Sequence, residues 1–272
     1  MTEAALAEPA PTPPPARRRN PWLFWIFVAV MLALTALFLG LAKWQLDRLH
    51  WKEGLIAEAA ANMKLPPTPF PGPAQWPGID LDAFSYRPVT VTGHYLPEQT
   101  IRVFVGLGDD AKGEFSGPGY WIMTPFALDG GGTVFVDRGF VPQAAADAYA
   151  DDKTLPTGTV TIAGATVPTE EAGPFTPPAD TSKRIDWFRN IERMKAMLPA
   201  SLMPVAPVYI DLPAGPRGAL PQGGETDIDF PNNHLGYVYT WLGFALTTVI
   251  MLAEWVRRQF AAKTDGADAP AD

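Results

Sequence analysis

The sequence has no cysteine, and it has three histidines, His50, His94 and His234, in 272 residues. Without cysteine the chain forms neither a disulfide nor a thiolate metal site. Catalytic signatures are also missing: the sequence contains no Gly-x-Ser-x-Gly, no His-Glu-x-x-His and no phosphate-binding loop. Acid–base chemistry would fall on carboxylates that show no special spacing. The composition therefore disfavours a membrane enzyme.

Charged residues are missing from two long stretches near the ends of the chain. Trp22 to Ala42 and Leu235 to Ala253 are both uncharged. At ~1.5 Å per residue the shorter stretch makes a helix of about 28 Å, close to the ~30 Å of bilayer hydrocarbon. No Ala-x-Ala cleavage site follows the first stretch, so it is not a signal peptide. We predict transmembrane helices at residues 21–43 and 234–256.

Two spans place both termini on the same side of the membrane. Positive charge is concentrated after the second span, at Arg257, Arg258 and Lys263, whereas Arg217 alone precedes it. The positive-inside rule then puts the C-terminus in the cytoplasm. The positive charges on the two sides of the first span are equal in number, so they do not decide the orientation of the chain in the membrane.

The predicted organisation is that of a bacterial inner-membrane protein. Residues 1–20 and 257–272 would be disordered cytoplasmic tails, and residues 44–233 a periplasmic β-rich domain with an N-terminal helical extension. The proline-rich first tail contains Glu3 and Glu8, which disfavours a mitochondrial presequence. Tails of this length provide no output domain, which disfavours a sensor or receptor.

The exported segment is acidic. Residues 43–233 contain 15 Lys and Arg against 23 Asp and Glu, a net charge of −8. An acidic surface repels phosphate backbones, so nucleic acid is excluded as an expected partner. The lipid bilayer remains a predicted partner through the two spans.

Six short segments rich in β-branched and aromatic residues predict strands. They lie at residues 87–93, 99–105, 119–125, 133–141, 158–164 and 206–211. A helical patch is predicted at residues 187–198. The fold class is therefore membrane α+β, with two transmembrane helices flanking an exported, mainly antiparallel sheet or small barrel that has a short helical insertion.

Five blocks of the sequence, in order, resemble the Surf1 (Shy1) family of cytochrome c oxidase assembly factors. The blocks are Gly40, Trp44-Gln45, Arg48 and Lys52; Arg87-Pro88-Val89-x-Val91-x-Gly93; Gly119-Tyr120 with Thr124-Pro125; Val136-x-Arg138-Gly139-x-Val141-Pro142; and Asn233-His234-Leu235-x-Tyr237-x-x-Thr240-Trp241. The sequence departs from the family at Asp137, where Asn is common, and at Phe140, where Trp is common. Val238 and Leu242 also replace the usual Ala and Phe. We expect these departures to affect details of the sheet surface.

The resemblance implies a non-enzymatic role in building the haem-copper oxidase. The protein would bind haem a or deliver it to the catalytic subunit, with that subunit and other assembly factors as partners. The resemblance implies His234 as the ligand of the haem iron. The alternative is a scaffold that stabilises an oxidase assembly intermediate without touching haem.

Each candidate site residue has a plainer structural interpretation. His234 could supply a neutral imidazole to haem iron, or it could cap a helix end. Trp241 could flank the haem plane, or it could pack on the first span. Gln45, Arg48 and Lys52 share one helix face, where the cations could meet haem propionates or form local ion pairs with Asp47 or Glu53.

Other residues receive structural interpretations. His50 is a possible second ligand, but interfacial packing with Trp51 is preferred, and His94 is predicted in a loop. Arg138 is interpreted as a structural arginine held by a carboxylate or by loop carbonyls. Gly139 is predicted to adopt a backbone conformation that a larger side chain would not accept.

Overall fold

A computed structural model describes residues 21–226 and 232–264 of the chain. The chain divides into two compact units, Met1–Trp51 with Asn232–Asp272 and Lys52–Pro231. The predicted tail at residues 1–20 and the last eight residues of the predicted tail at 257–272 lie outside the described residues.

The first unit contains α4 (His234–Thr264) and most of α1 (Pro21–Asn62), whose residues from Lys52 onward belong to the second unit. Both are long and apolar enough to cross a membrane, over Trp22–Asn62 and His234–Phe260. Most of their large apolar side chains, such as Ile26 and Ile250, are exposed. A helix in a soluble core would bury these side chains, whereas a bilayer would cover them with lipid.

Side-chain contacts show that α1 and α4 are antiparallel within the first unit. Phe24 stacks on Trp255, with ring centroids 5.1 Å apart. Further along α1, the Thr35 hydroxyl lies 2.8 Å from that of Thr248, and Gln45 contacts His234. Along this series of contacts the residue numbers rise in α1 and fall in α4, so the two helices run in opposite directions. Gln45 follows Phe24 by 21 positions, which corresponds to about 31 Å of helix and matches the hydrocarbon thickness.

Both helices continue beyond the predicted spans. Helix α1 extends to Asn62, shortly before Pro66-Pro67, which confirms the predicted helical extension. Helix α4 continues to Thr264, eight residues beyond the predicted end at residue 256. Glu254 accepts hydrogen bonds from Arg257 and Arg258, and such pairs one turn apart favour a continued helix.

The described part of the second unit contains eight strands and, besides the end of α1, two short α-helices. The strands are β1 (Thr68–Pro69), β2 (Pro88–Tyr95), β3 (Ile101–Leu107), β4 (Gly117–Leu128), β5 (Thr133–Pro142), β6 (Val160–Pro168), β7 (Ile185–Asp186) and β8 (Val205–Asp211). The helices are α2 (Leu81–Phe84) and α3 (Ile191–Lys195). All six predicted strands are confirmed. His94 lies in β2, so its predicted loop position is wrong.

Five strands close into a ring in the order β2-β6-β8-β5-β4, because β4 pairs again with β2. Four of the five neighbouring pairs are antiparallel, and β5–β8 is parallel. Each antiparallel neighbour reverses the strand direction, so a ring of five strands closes only with an odd number of parallel pairs. The sheet is therefore mainly antiparallel, as predicted, and closure itself requires the one parallel pair in the ring.

Strand β5 is buried on both faces, and this divides the core in two. Val134 and Val136 belong to a cluster to which all five ring strands contribute, which is the barrel interior. Phe135 belongs to a second cluster outside the ring, with Tyr209 and with Met194 of α3. Period-2 alternation along the strand sends successive side chains to these two cores.

Local polar contacts shape the connections between strands. Helix α3 covers less than the predicted 187–198, because it starts only after Asn190, whose side chain accepts from the Arg193 amide. Gly139 has φ +117°, and a Cβ there would lie 2.2 Å from the Gln222 carbonyl oxygen. Only glycine fits this close approach, which confirms the prediction.

Candidate functional site

His234 is the first residue of α4, and its ring contacts helix α1. The Nδ1 atom lies 2.7 Å from Oε1 of Gln45. Gln45 is 8% exposed, so this contact is sheltered from solvent. The imidazole is neither isolated nor turned away from the neighbouring helix. The structure therefore brings together two predicted site residues that are 189 positions apart in sequence.

The Gln45 contact selects one form of the imidazole. An amide oxygen only accepts hydrogen bonds, so His234 donates its Nδ1 proton to Gln45. In the neutral ring the lone pair is then on Nε2. Histidine ligands of metals usually donate their other ring N–H to such an acceptor, which orients the ring and raises its basicity. The pair has the chemistry of an oriented axial donor.

Trp241 lies two helical turns beyond His234 in an aromatic cluster. Its ring stacks on Phe38 of α1, with centroids 5.9 Å apart and an interplanar angle of 21°, and contacts Phe244 edge-on. Packing on the first span, the plainer interpretation, is thus what the structure shows. The indole Nε1 is buried, and no hydrogen-bond partner is described for it. An aromatic cluster, with one indole N–H for which no partner is described, therefore lies two turns beyond His234 on α4.

The remaining candidate residues, Arg48, Lys52 and His50, lie further along α1 than Gln45. The Arg48 guanidinium lies 3.8 Å from the centre of the Trp51 ring. Asp47, a predicted partner of these cations, instead pairs with Lys43 at 2.7 Å. Lys52 is half-buried and is the first residue of the second unit. His50 is exposed.

The second unit holds a buried cluster of charges around Arg189, which we call the Arg189 cluster. Its guanidinium donates to Glu170 at 2.8 Å and to Asp137 at 3.1 Å, and lies 4.0 Å from Asp211. It also stacks over the Trp121 ring, 4.8 Å from the centroid. One cation therefore faces three carboxylates, of which those of Asp137 and Asp211 are buried and that of Glu170 is 35% exposed.

Sheet register explains why two aspartates meet there. Asp137 of β5 lies directly opposite Asp211 of β8. Phe135 and Tyr209 lie two residues earlier in their strands, are also opposite each other, and share the same face of the sheet. Burial raises the pKa of Asp211 to about 7, and the neighbouring charge of Asp137 adds to the rise. Burial also raises the pKa of Asp137, although Arg189 opposes the change. The pair therefore favours holding a proton near neutral pH.

The location of Asp137 corrects one expectation. We expected the family departure at this position to affect the sheet surface, but Asp137 is 2% exposed and lies in the Arg189 cluster. The prediction for Arg138 is confirmed. Its Nη2 donates to Asp152 at 2.7 Å, and both side chains are buried.

Sequence reasoning missed Arg189, Tyr209 and Asp211. A signal for the acids was present, because Asp137 and Asp211 each end a run of apolar strand residues. An acid next to such a run has a high chance of burial and needs a cation nearby. No such signal marked Arg189, which lies in the connection between β7 and α3.

Comparison with known proteins gives a consistent result. Residues 32–246 match the SURF1 family. The chain is 30% identical over 241 residues to Surfeit locus protein 1 of Mus musculus, covering 84% of the chain and 75% of that protein. It is 32% identical over 254 residues to a SURF1-like protein of Monosiga brevicollis, covering 89% of each. Surfeit locus protein 1 of Homo sapiens is 30% identical over 241 residues, covering 83% of the chain and 75% of that protein.

Proposed function

Because the chain belongs to the SURF1 family, we propose that it is a non-enzymatic assembly factor for haem-copper cytochrome c oxidase, and that it binds haem a or delivers it to the catalytic subunit. The catalytic subunit and other assembly factors are its proposed partners. Its proposed location is a bacterial inner membrane, with both termini in the cytoplasm and the β domain in the periplasm, as the charge distribution favours.

The contact between His234 and Gln45 carries the haem proposal. Haem iron takes an axial nitrogen donor, and the Gln45 contact leaves Nε2 of His234 with its lone pair. The neighbouring Trp241, Phe38 and Phe244 present aromatic surface suited to an apolar macrocycle. The residues present therefore fit the group. Bound haem a would supply a redox-active iron, which the oxidase uses after transfer.

The chain's own residues have separate roles in this proposal. His234 would hold the iron, and Gln45 would hold the His234 proton on Nδ1 so that Nε2 stays available. Trp241 and its neighbours exclude water from the macrocycle face. Arg48, stacked on Trp51, and Lys52 are the cations proposed to meet the propionates.

The test is the Soret absorption of the protein purified from membranes that make haem a. We expect a Soret band for the unaltered chain, and its loss in His234→Ala. Gln45→Leu should weaken haem binding roughly tenfold or more, because the orienting acceptor is lost. Gln45→Glu keeps an acceptor oxygen and should retain binding.

His50→Ala is the matched control, because His50 is exposed on the same helix as Gln45. It should leave the Soret band unchanged. If the unaltered protein is colourless yet co-purifies with oxidase subunits, the haem proposal fails and the scaffold function replaces it. If neither haem nor oxidase subunits accompany the protein, the assembly role fails as well.

A further inference from the structure

Strand β3 has an incompletely paired edge. One side pairs with β4 along the whole strand, from Ile101 to Leu107. The other side pairs with β7 at Arg102 and Val103 only. Within residues 21–226 and 232–264, no strand pairs with the remaining outer edge, Phe104–Leu107.

The direction of the backbone groups on this edge follows from two observations. The Arg102 amide donates outward, to the Arg184 carbonyl at 2.9 Å, and backbone direction alternates along a strand. The N–H and C=O of Gly106 therefore also point outward. Gly106 is opposite Pro118, which has no N–H to offer, and this agrees with the assignment. Within residues 21–226 and 232–264 the Gly106 N–H and C=O have no backbone partner on this side, so an incoming strand would find a donor and an acceptor there.

A cavity of about 330 Å³ lies beside this edge. The apolar part of its lining includes Val105 and Leu107 of β3 together with Trp121 and Trp187. Trp187 is 40% exposed and meets Phe104 edge-on, with ring centroids 5.5 Å apart. Alternate side chains of an added strand would enter this apolar space.

The charges around the cavity favour a basic occupant. The carboxylates in the cavity lining, those of Asp110, Glu170 and Glu225, outnumber its two cations, Lys112 and Arg189. Asp109 and Asp110 directly follow β3 and are exposed. Neither forms an ion pair within the part of the chain that the structure describes. Uncompensated negative charge therefore lies at the end of the open edge.

We propose that the β3 edge from Phe104 to Leu107, with the cavity beside it, binds an extended basic segment of a partner protein, which adds to the sheet as a further strand. Main-chain hydrogen bonds at Gly106 supply part of the affinity, and the aromatic cavity and the acidic end select the side chains. This inference does not depend on haem.

The probe is a labelled, end-blocked hexapeptide of alternating lysine and valine, titrated into the full-length protein in detergent at low salt. Gly106→Pro removes the outward N–H without removing a bond to β4, and proline is tolerated on edge strands. It should weaken binding roughly tenfold, the loss expected for one hydrogen bond and a steric clash. Gly106→Ala is the matched control, because a Cβ at Gly106 would meet no atom within 4 Å.

Two further probes keep the test independent of the folding of the proline variant. A peptide N-methylated at alternate residues should bind the unaltered protein roughly tenfold more weakly, and a glutamate–valine peptide should bind more weakly still at low salt. The proposal is overturned if the lysine peptide does not bind, or if Gly106→Pro and N-methylation leave binding unchanged. Self-association that Gly106→Pro abolishes would identify a second copy as the occupant and would also overturn it.

Discussion

The helix pair and the β domain bury their polar groups in different ways. Between α1 and α4 the hydrogen bonds that the structure describes join two hydroxyls, Thr35 with Thr248, and an amide with an imidazole, Gln45 with His234. In the domain, the Arg189 cluster buries full charges against one another. The two regions therefore use different chemical groups to satisfy the polar side chains that they bury.

The difference follows from what surrounds each region when it folds. A helix pair in hydrocarbon satisfies its backbone internally, so a few neutral side-chain contacts are enough to join the helices. Strand β5 is covered on both faces, and an acid within such a strand, such as Asp137, is shielded from water. Such an acid needs a cation or a proton nearby. The Arg189 cluster contains both, the Arg189 guanidinium and a proton held by the Asp137–Asp211 pair. We therefore expect the largest mutational effects in the domain.

The strongest test of this difference is Arg189→Met. Removing the one cation leaves Asp137, Asp211 and Glu170 without compensation, and breaking a buried ionic cluster costs about 3–5 kcal/mol. Urea unfolding of the full-length protein in detergent measures this loss.

The matched control is Arg217→Met. Arg217 also pairs with a glutamate, but its side chain is 89% exposed, so the change should stay within about 0.5 kcal/mol. Equal stability of the two variants would show that the buried cluster does not stabilise the domain.

The next largest effect is a dependence of stability on pH. The pKa of Asp211 is about 7 in the folded protein and 3.8 in an ordinary carboxyl group. Between these values the folded state keeps a proton that the unfolded state has released. Stability should therefore fall as pH rises from about 4 to 7 and stay level above that range.

Asp211→Asn removes this titration while keeping the shape of the side chain. The difference in unfolding free energy between the variant and the unaltered protein should shift in favour of the variant as pH rises from about 4 to 7. A constant difference across this range would contradict a proton held by the aspartate pair.

The smallest expected effect lies in the helix pair. The Thr35 and Thr248 hydroxyls lie 2.8 Å apart, and each is also within hydrogen-bond distance of a carbonyl of its own helix. Because each hydroxyl has one proton, one threonine donates to the other, which donates to its own helix. A double-mutant cycle with Thr35→Val and Thr248→Val should give a coupling of about 0.6 kcal/mol, as for other hydrogen bonds between membrane helices. Coupling as large as the effect of Arg189→Met would remove the distinction between the two regions.

Patterns within single segments predicted the elements well. Two uncharged stretches gave the long helices, and alternating β-branched and aromatic residues gave all six main strands. The two-residue strands β1 and β7 were missed, because two residues show no periodicity. The end of α4 was missed because the prediction stopped with the apolar run, although Glu254, Arg257 and Arg258 support further helix.

Part of the candidate site was also visible in the sequence. The family resemblance indicated His234 and Gln45, but not that they touch or which nitrogen of the ring donates. The position of Asp137 was misjudged, since alternation along β5 does not reveal that both faces of that strand are covered.

The sequence by itself determined which segments are helices or strands and which segments are apolar enough for a membrane, because propensity and hydropathy are properties of neighbouring residues. Only the tertiary structure decided that β5 and β8 run parallel, that Asp137 faces Asp211, and that Arg189 reaches both. Those contacts join residues far apart in the chain. Their existence depends on closure of the ring and on strand register, which no local pattern contains.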